Sequence, residues 1–208
     1  MFDVIAYANA ARSIVDAGKF LYAQGWSPAT SSNYSARIDA RHLAITVSGR
    51  HKGQLAMTDV MVVDLAGKAV QSQCQPSAET RLHTVLYEVF PEVGAVLHTH
   101  SVNATVLSRL LVEEAPWVLH GYELQKAFPG VSTHDSELTL PVFDNTQNIE
   151  ELAATTKDWF RRHPEHPGYL IRGHGLYTWG QTMSGCLRHV EALEFLMACE
   201  LEMMRFSR

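Results

Sequence analysis

The chain has 208 residues, 46% hydrophobic and 19% charged, enough for one globular domain with a sizeable core. Its formal net charge is −5 and its pI is near 6.1. With no basic run to neutralise phosphates, nucleic acid is not an expected partner. No apolar run approaches the ~20 residues of a membrane-spanning helix, so no membrane partner is expected either.

The first residues, MFDVIAYANAARSIVD, lack the basic start and small-residue cleavage pattern of a secretion signal. The three cysteines, Cys74, Cys186 and Cys199, show no CxxC spacing and fit free thiols in a reducing cytoplasm. From residue 4, VIAYANAARSIVDAGKFLYAQGW places Val4, Ala8, Ala11 and Val15 at helical spacing, with Gly25 as the stop. HLAITVSG alternates Leu43, Ile45 and Val47 with Ala44, Thr46 and Ser48, the pattern of a half-buried strand. DVMVVDLAGKAV reads as a hairpin turning near Ala66-Gly67. PSAETRLHTVLYEVF starts with Pro76 and sets Leu82, Val85, Leu86 and Val89 on one helical face.

VGAVLHTH is an apolar strand, NATVLSRLLV a short helix and ELTLPVFD a strand in which Pro141 marks an edge or an end. QNIEELAATTKDWFRRH forms an amphipathic helix, and GYLIRGHGLYTWG two strands around a glycine-flanked histidine. CLRHVEALEFLMACELEMMRF closes the chain as a long helix with Leu187, Val190, Leu193 or Glu194, Met197 and Leu201 near one stripe. No repeat or linker interrupts residues 1–208, and strands mix with helices in no strict βαβ rhythm. The expectation is a single α/β domain with a largely antiparallel sheet covered by helices.

Side chains two apart on a strand share a face, so His98 and His100 project together and their ring nitrogens can converge on one cation. Two polar residues bonding to backbone at a strand end fit the HxH spacing as well. His174, between Gly173 and Gly175, is a third candidate ligand or, equally, a turn residue. Glu79 precedes Leu82 by three and Leu86 by seven, which extends the apolar stripe rather than the solvent face. A carboxylate there must pair, ligate or be protonated, although the positive start of a helix also attracts the residue type. Three polar clusters, TSSNYS (30–35), TVSGRHKG (46–53) and QPSAET (75–80), offer amides and hydroxyls to an anion, with Lys52 adding a charge. Each alone is ordinary turn chemistry.

Four stretches in order, SSNYSAR, LAITVSG, PSAETRLHTVLYEVFPEVGAVLHTHS and GHGLYTWG, resemble the class II aldolase/adducin-head family over nearly the whole chain. The resemblance implies a three-layer α/β/α fold around a mainly antiparallel sheet, and a homotetramer with active sites at subunit boundaries. It implies a sugar-phosphate substrate and one zinc ion per subunit, held by His98, His100 and His174. Glu79 falls where the family places a carboxylate that ligates the resting metal and acts as acid/base. The phosphate contacts implied are Ser32, Asn33, Ser48, Gly49 and Ser77. One departure stands out: the family's aldolases usually carry Gly-Asn where this chain has Ser32-Asn33.

SGRHKG, SAETRLHTVLY, LHTHS, GLYTWG and LHGYELQKAF look like the family's sugar-phosphate dehydratase branch, and Glu123 matches that branch's proposed acid/base glutamate. The implied reaction is dehydration of a ketose 1-phosphate. The competing expectations are a class II aldolase or epimerase on another sugar phosphate and a non-enzymatic, adducin-like assembly head.

Overall fold

Asp3 opens the first helix, α1 (Val4–Ala23), by accepting hydrogen bonds from the Ile5 and Ala6 amides. Gly25, at a φ of 77°, then turns the chain away. The computed structural model describes residues 2–111 and 116–206. Strands β1 (Asn33–Arg37), β2 (His42–Thr46) and β3 (Val60–Asp64) follow, then α2 (Thr80–Val89), β4 (Ala95–Thr99) and α3 (Val102–Leu110). Next come β5 (Trp117–Leu119), β6 (Leu138–Leu140), β7 (Val142–Phe143), α4 (Ile149–Arg162), β8 (Gly168–Ile171), β9 (Gly175–Gly180) and α5 (Met183–Phe206).

Among the described residues, seven strands pair in the order β3-β2-β1-β4-β9-β8-β7, antiparallel except where β7 runs parallel to β8. One face packs against α2 and α4 through Leu82, Val85, Leu86, Leu152 and Phe160, set on Ile45, Val63, Val96 and Trp179. The other face meets α1 through Ala11, Ile14 and Leu21, set on Tyr34, Ala44 and Leu97. Farther along, α3, α5 and the β5–β6 pair cover Leu170 and Leu176. These are the three layers expected.

Three expectations need correction. Strand β2 is buried on both faces, because its alternation sorts Leu43 and Ile45 into one core and Ala44 into the other, not core from solvent. ELTLPVFD is two strands: Pro141 separates β6, which pairs with β5 in a small second sheet, from β7 in the main one. The hairpin after β3 has a return arm of a single bridge, Val63 to Ala69, closed by Gly67 at a φ of 81°. The last residue of the expected NATVLSRLLV helix, Val112, lies outside the described residues. Cys74, Cys186 and Cys199 are free thiols, and no helix of the described residues is long and apolar enough to cross a membrane.

Candidate active site

Register assembles the site. Asn33 on β1 pairs with His98 on β4, and His98 pairs with Tyr177 on β9, so three side chains form a row across the sheet face under α2. The His98 and Tyr177 rings stack at 4.0 Å. The N-terminal end of α2 lowers Glu79 onto this row. Glu79 is the residue before the helix, yet its carboxylate makes no capping bond. Instead its Oε2 accepts from Asn33 Nδ2 at 2.7 Å and from the Tyr177 hydroxyl at 3.0 Å. Burial and the Glu79 charge hold the Tyr177 pKa well above its ordinary value, which keeps that hydroxyl a donor.

His98 is fully buried. Its Nδ1 lies 2.9 Å from the Leu176 carbonyl, which can only accept, so Nδ1 carries the hydrogen and Nε2 the free electron pair. That Nε2 is 3.3 Å from Glu79 Oε2 and 3.3 Å from His174 Nε2, while His174 Nε2 is 3.1 Å from Glu79 Oε1. His100, one residue past β4, brings its ring centroid to 4.5 Å from both other imidazoles. Ligand atoms of all four residues lie within 4.8 Å of one another.

Electron pairs crowded like this call for a cation. Bonds of ~2.0–2.1 Å in a tetrahedron put ligand atoms about 3.3 Å apart, the spacing seen here. Burial first, then the neighbouring imidazoles, pushes His98 well below its ordinary pKa and His100 to about 4. Both are therefore neutral and able to ligate near pH 7.

Glycines flanking His174 make this approach possible. Gly173 has a φ of 66°, and a Cβ at Gly175 would sit 2.0 Å from the Thr99 carbonyl oxygen. Three members of the metal-competent cluster, Glu79, His100 and His174, line a cleft of about 320 Å³. Its walls include Ser32, Asn33, Ser48, Gly49, Lys52 and Ser77. Lys52 is buried and donates to the Thr30 and Arg50 carbonyls, tying two of the loops together. Burial lowers its pKa to about 8. Ser32 has a φ of 71°, the left-handed backbone that glycine adopts freely. The glycine that the resemblance places here in the family's aldolases fits the same backbone.

Glu123 is elsewhere. It is not among the cleft residues, its side chain is 73% exposed, and it pairs with Lys126 at 2.6 Å and, at 4.0 Å, with His134. Lys126 and then His134 hold its carboxyl below the ordinary range.

Tyr177 and a buried chain behind Asn33 escaped sequence reasoning. Asn33 donates to Glu79, so its Oδ1 accepts from His83 Nε2. His83 Nδ1 then accepts from Ser35 Oγ, which accepts from the Tyr87 hydroxyl. Burial drops the His83 pKa to about 4, so the chain carries no charge. The available signal was spacing: His83 follows Glu79 by four, and Ser35 follows Asn33 by two.

Sheet order and cleft together define an α/β/α protein with a His/Glu cluster able to hold a metal ion beside a cleft lined by hydroxyls and amides. The chain belongs to the Class II Aldolase and Adducin N-terminal domain family, whose model matches residues 12–201. It is 72% identical over 208 residues to a methylthioribulose-1-phosphate dehydratase of Marinobacter nauticus, covering 100% of both chains. It is 63% identical over 207 residues to the protein so named in Hahella chejuensis, again covering 100% of both. Among solved structures, the L-fuculose-1-phosphate aldolase of Thermus thermophilus superposes with a TM-score of 0.75 at 25% identity, covering 97% of this chain and 95% of that one. An L-fuculose 1-phosphate aldolase at 23% identity gives a TM-score of 0.79 over 96% of this chain and 88% of the other, a likeness of fold.

Proposed function

We propose that the chain, acting over residues 1–208 as one catalytic unit, removes water from 5-methylthioribulose 1-phosphate. The product is 2,3-diketo-5-methylthiopentyl 1-phosphate, and the step belongs to methionine salvage in the cytoplasm. The observation that carries this is the Glu79–His98–His100–His174 cluster, three of whose members line a cleft rich in hydroxyls and amides with Lys52 beside them. Its specific reaction comes from relatives at 63% and 72% identity over the full chain.

One zinc ion per subunit, held by the three histidines with Glu79 as fourth ligand at rest, supplies Lewis-acid polarisation of the C2 carbonyl. Glu79 fits that part, since Asn33 and Tyr177 hold one of its oxygens and the imidazoles crowd both. Ser32, Ser48, Gly49, Lys52 and Ser77 hold the phosphate, with Asn33 adding its remaining amide hydrogen. Glu123, ionised at rest, takes the C3 proton and delivers it to the C4 hydroxyl, which leaves as water. Loss of water leaves a C3–C4 enol beside the C2 ketone, which ketonises by moving its hydroxyl proton to C4 to give the diketone, and atoms balance with no further reactant. Glu123 is exposed and does not line its own cleft, so it is assigned to the cleft of a neighbouring subunit in a homotetramer.

The deciding assay incubates the protein with 5-methylthioribulose 1-phosphate, with and without a chelator, and separately with L-fuculose 1-phosphate. Chelator-sensitive diketone formation is expected. Carbon–carbon cleavage of the second substrate with no dehydration of the first overturns the proposal in favour of an aldolase.

A further inference from the structure

A second group of metal-ligand side chains lies at the opposite end of β8 from His174. The turn joining α4 to β8 carries His163, Glu165 and His166, whose candidate ligand atoms all fall within 4.8 Å of one another. None of the three lines the catalytic cleft.

The tautomer of His166 is set by its neighbours. Its Nδ1 lies 2.8 Å from the Thr139 carbonyl, which only accepts, and 2.6 Å from the Thr139 hydroxyl. Nδ1 therefore carries the hydrogen and Nε2 the electron pair, the same arrangement by which the Leu176 carbonyl orients His98. That bare Nε2 faces Glu165 Oε1 at 3.3 Å. Two electron-pair donors at this separation repel unless a proton or a cation joins them. Their spacing matches the His98–Glu79 edge in the catalytic cluster and the roughly 3.3 Å edge of a tetrahedral zinc-type site.

His163 supplies the third donor from the C-terminal end of α4, its ring against Trp159 at 4.6 Å. His166 is 10% exposed on its side chain and Glu165 65%, so a cation there is fixed on one side and open on the other. Glu165 and His166 also border a cleft of about 260 Å³ walled by Phe90, Phe128 and Trp179.

We propose that His163, Glu165 and His166 form a second divalent-metal site, with a fourth position open to solvent and this cleft. Two imidazoles and one carboxylate select borderline ions of the zinc, cobalt or nickel kind over calcium and magnesium, which take all-oxygen shells. Through the Thr139 bond, such an ion ties the end of α4 to strand β6.

The test uses tag-free protein already loaded at its catalytic site and dialysed against buffered free Zn²⁺, with bound zinc measured by elemental analysis. Two zinc ions per chain are expected in the wild type and one in His163→Ala. Glu165→Gln should weaken the second equivalent at least roughly tenfold, the scale on which tuning of a metal site acts. Both substitutions leave the His166–Thr139 bonds in place, and turnover should be unchanged. One zinc per chain in the wild type overturns the proposal. So does a second equivalent that survives in His163→Ala, since it would then belong to other surface histidines.

Discussion

Glu79 and Glu123 are two carboxylates assigned to one reaction, and their surroundings differ in every respect. Glu79 is held by Asn33 and Tyr177 and set against two imidazoles on a row of paired strands. Glu123 sits on a short 3-10 turn (Glu123–Ala127), exposed, with only Lys126 and His134 beside it. The turn itself is anchored: Gln125 is buried and donates to the Leu119 and Ser136 carbonyls, and the Tyr122 hydroxyl donates to Glu200. So the backbone presents Glu123 firmly while its side chain stays at the surface, paired with Lys126. A site that holds metal must be complete before substrate arrives. A proton donor can be supplied at the last step by another surface, and this division is what a subunit boundary allows.

The comparison is broken most severely at the metal. His98→Ala removes the nitrogen that faces both Glu79 and His174, and zinc content should fall from one per chain at the catalytic site to near zero. Dehydration should drop by more than about 10³-fold, the upper range for losing one preplaced electrostatic stabiliser. Elemental analysis beside the dehydration assay checks it, and normal metal content would refute the ligand assignment.

Glu123→Gln attacks the other half. Turnover should fall about 10²–10⁴-fold, the range for a general acid, with catalytic-site zinc and the melting temperature unchanged because the carboxylate is exposed and supports no packing. Mixing this variant with His98→Ala and allowing subunits to exchange should restore activity, because one subunit then brings an intact cleft and its neighbour an intact Glu123. No recovery in verified mixed oligomers would place Glu123 in its own subunit's chemistry or outside it altogether.

The sequence carried the metal half better than the proton half for physical reasons. HxH on a strand, a carboxylate on an apolar stripe and a histidine between glycines are each constraints within a few residues, and the fold had only to bring them together. Tyr177 depends on which strands pair and the Asn33–His83–Ser35–Tyr87 chain on α2 packing over β1, and local spacing alone states neither. The β5–β6 pair is three residues long on each side, too short for a period to show. Glu123 has no local signature of its own, and its part came from family resemblance.

Lys52 makes a smaller break, graded by pH. Burial lowers its pKa to about 8, so it is charged below that pH and neutral above it. As kcat/KM reports the free enzyme, it should fall as pH rises through about 8, by up to tenfold per unit, with the loss mainly in KM. Stability moves the opposite way: between about 8 and the ordinary ~10.4 the unfolded chain binds the extra proton, so this group's contribution to stability rises with pH. Lys52→Met should lower kcat/KM below pH 8 by roughly 10–100-fold, the value of a charged hydrogen bond of ~1.5–3 kcal/mol, and remove the alkaline limb. An unchanged limb in Lys52→Met would assign it to another group.

Ser32 offers the gentlest test, because backbone and hydroxyl can be separated there. At a φ of 71° a serine costs roughly 1–2 kcal/mol that glycine would not, while glycine adds a comparable entropic cost through the unfolded chain. Ser32→Gly should therefore leave the melting temperature nearly unchanged and the loop intact. Any change in kinetics then reports the hydroxyl alone, which is buried against the cleft. KM should rise several-fold with kcat within about twofold, since a phosphate contact remote from C3 and C4 binds ground and transition states alike. Ser32→Ala keeps the strain that serine already carries and loses the same hydroxyl, so it should share the KM of Ser32→Gly and melt close to it. If the two variants differ in KM and not in stability, the loop's shape rather than its hydroxyl holds the phosphate.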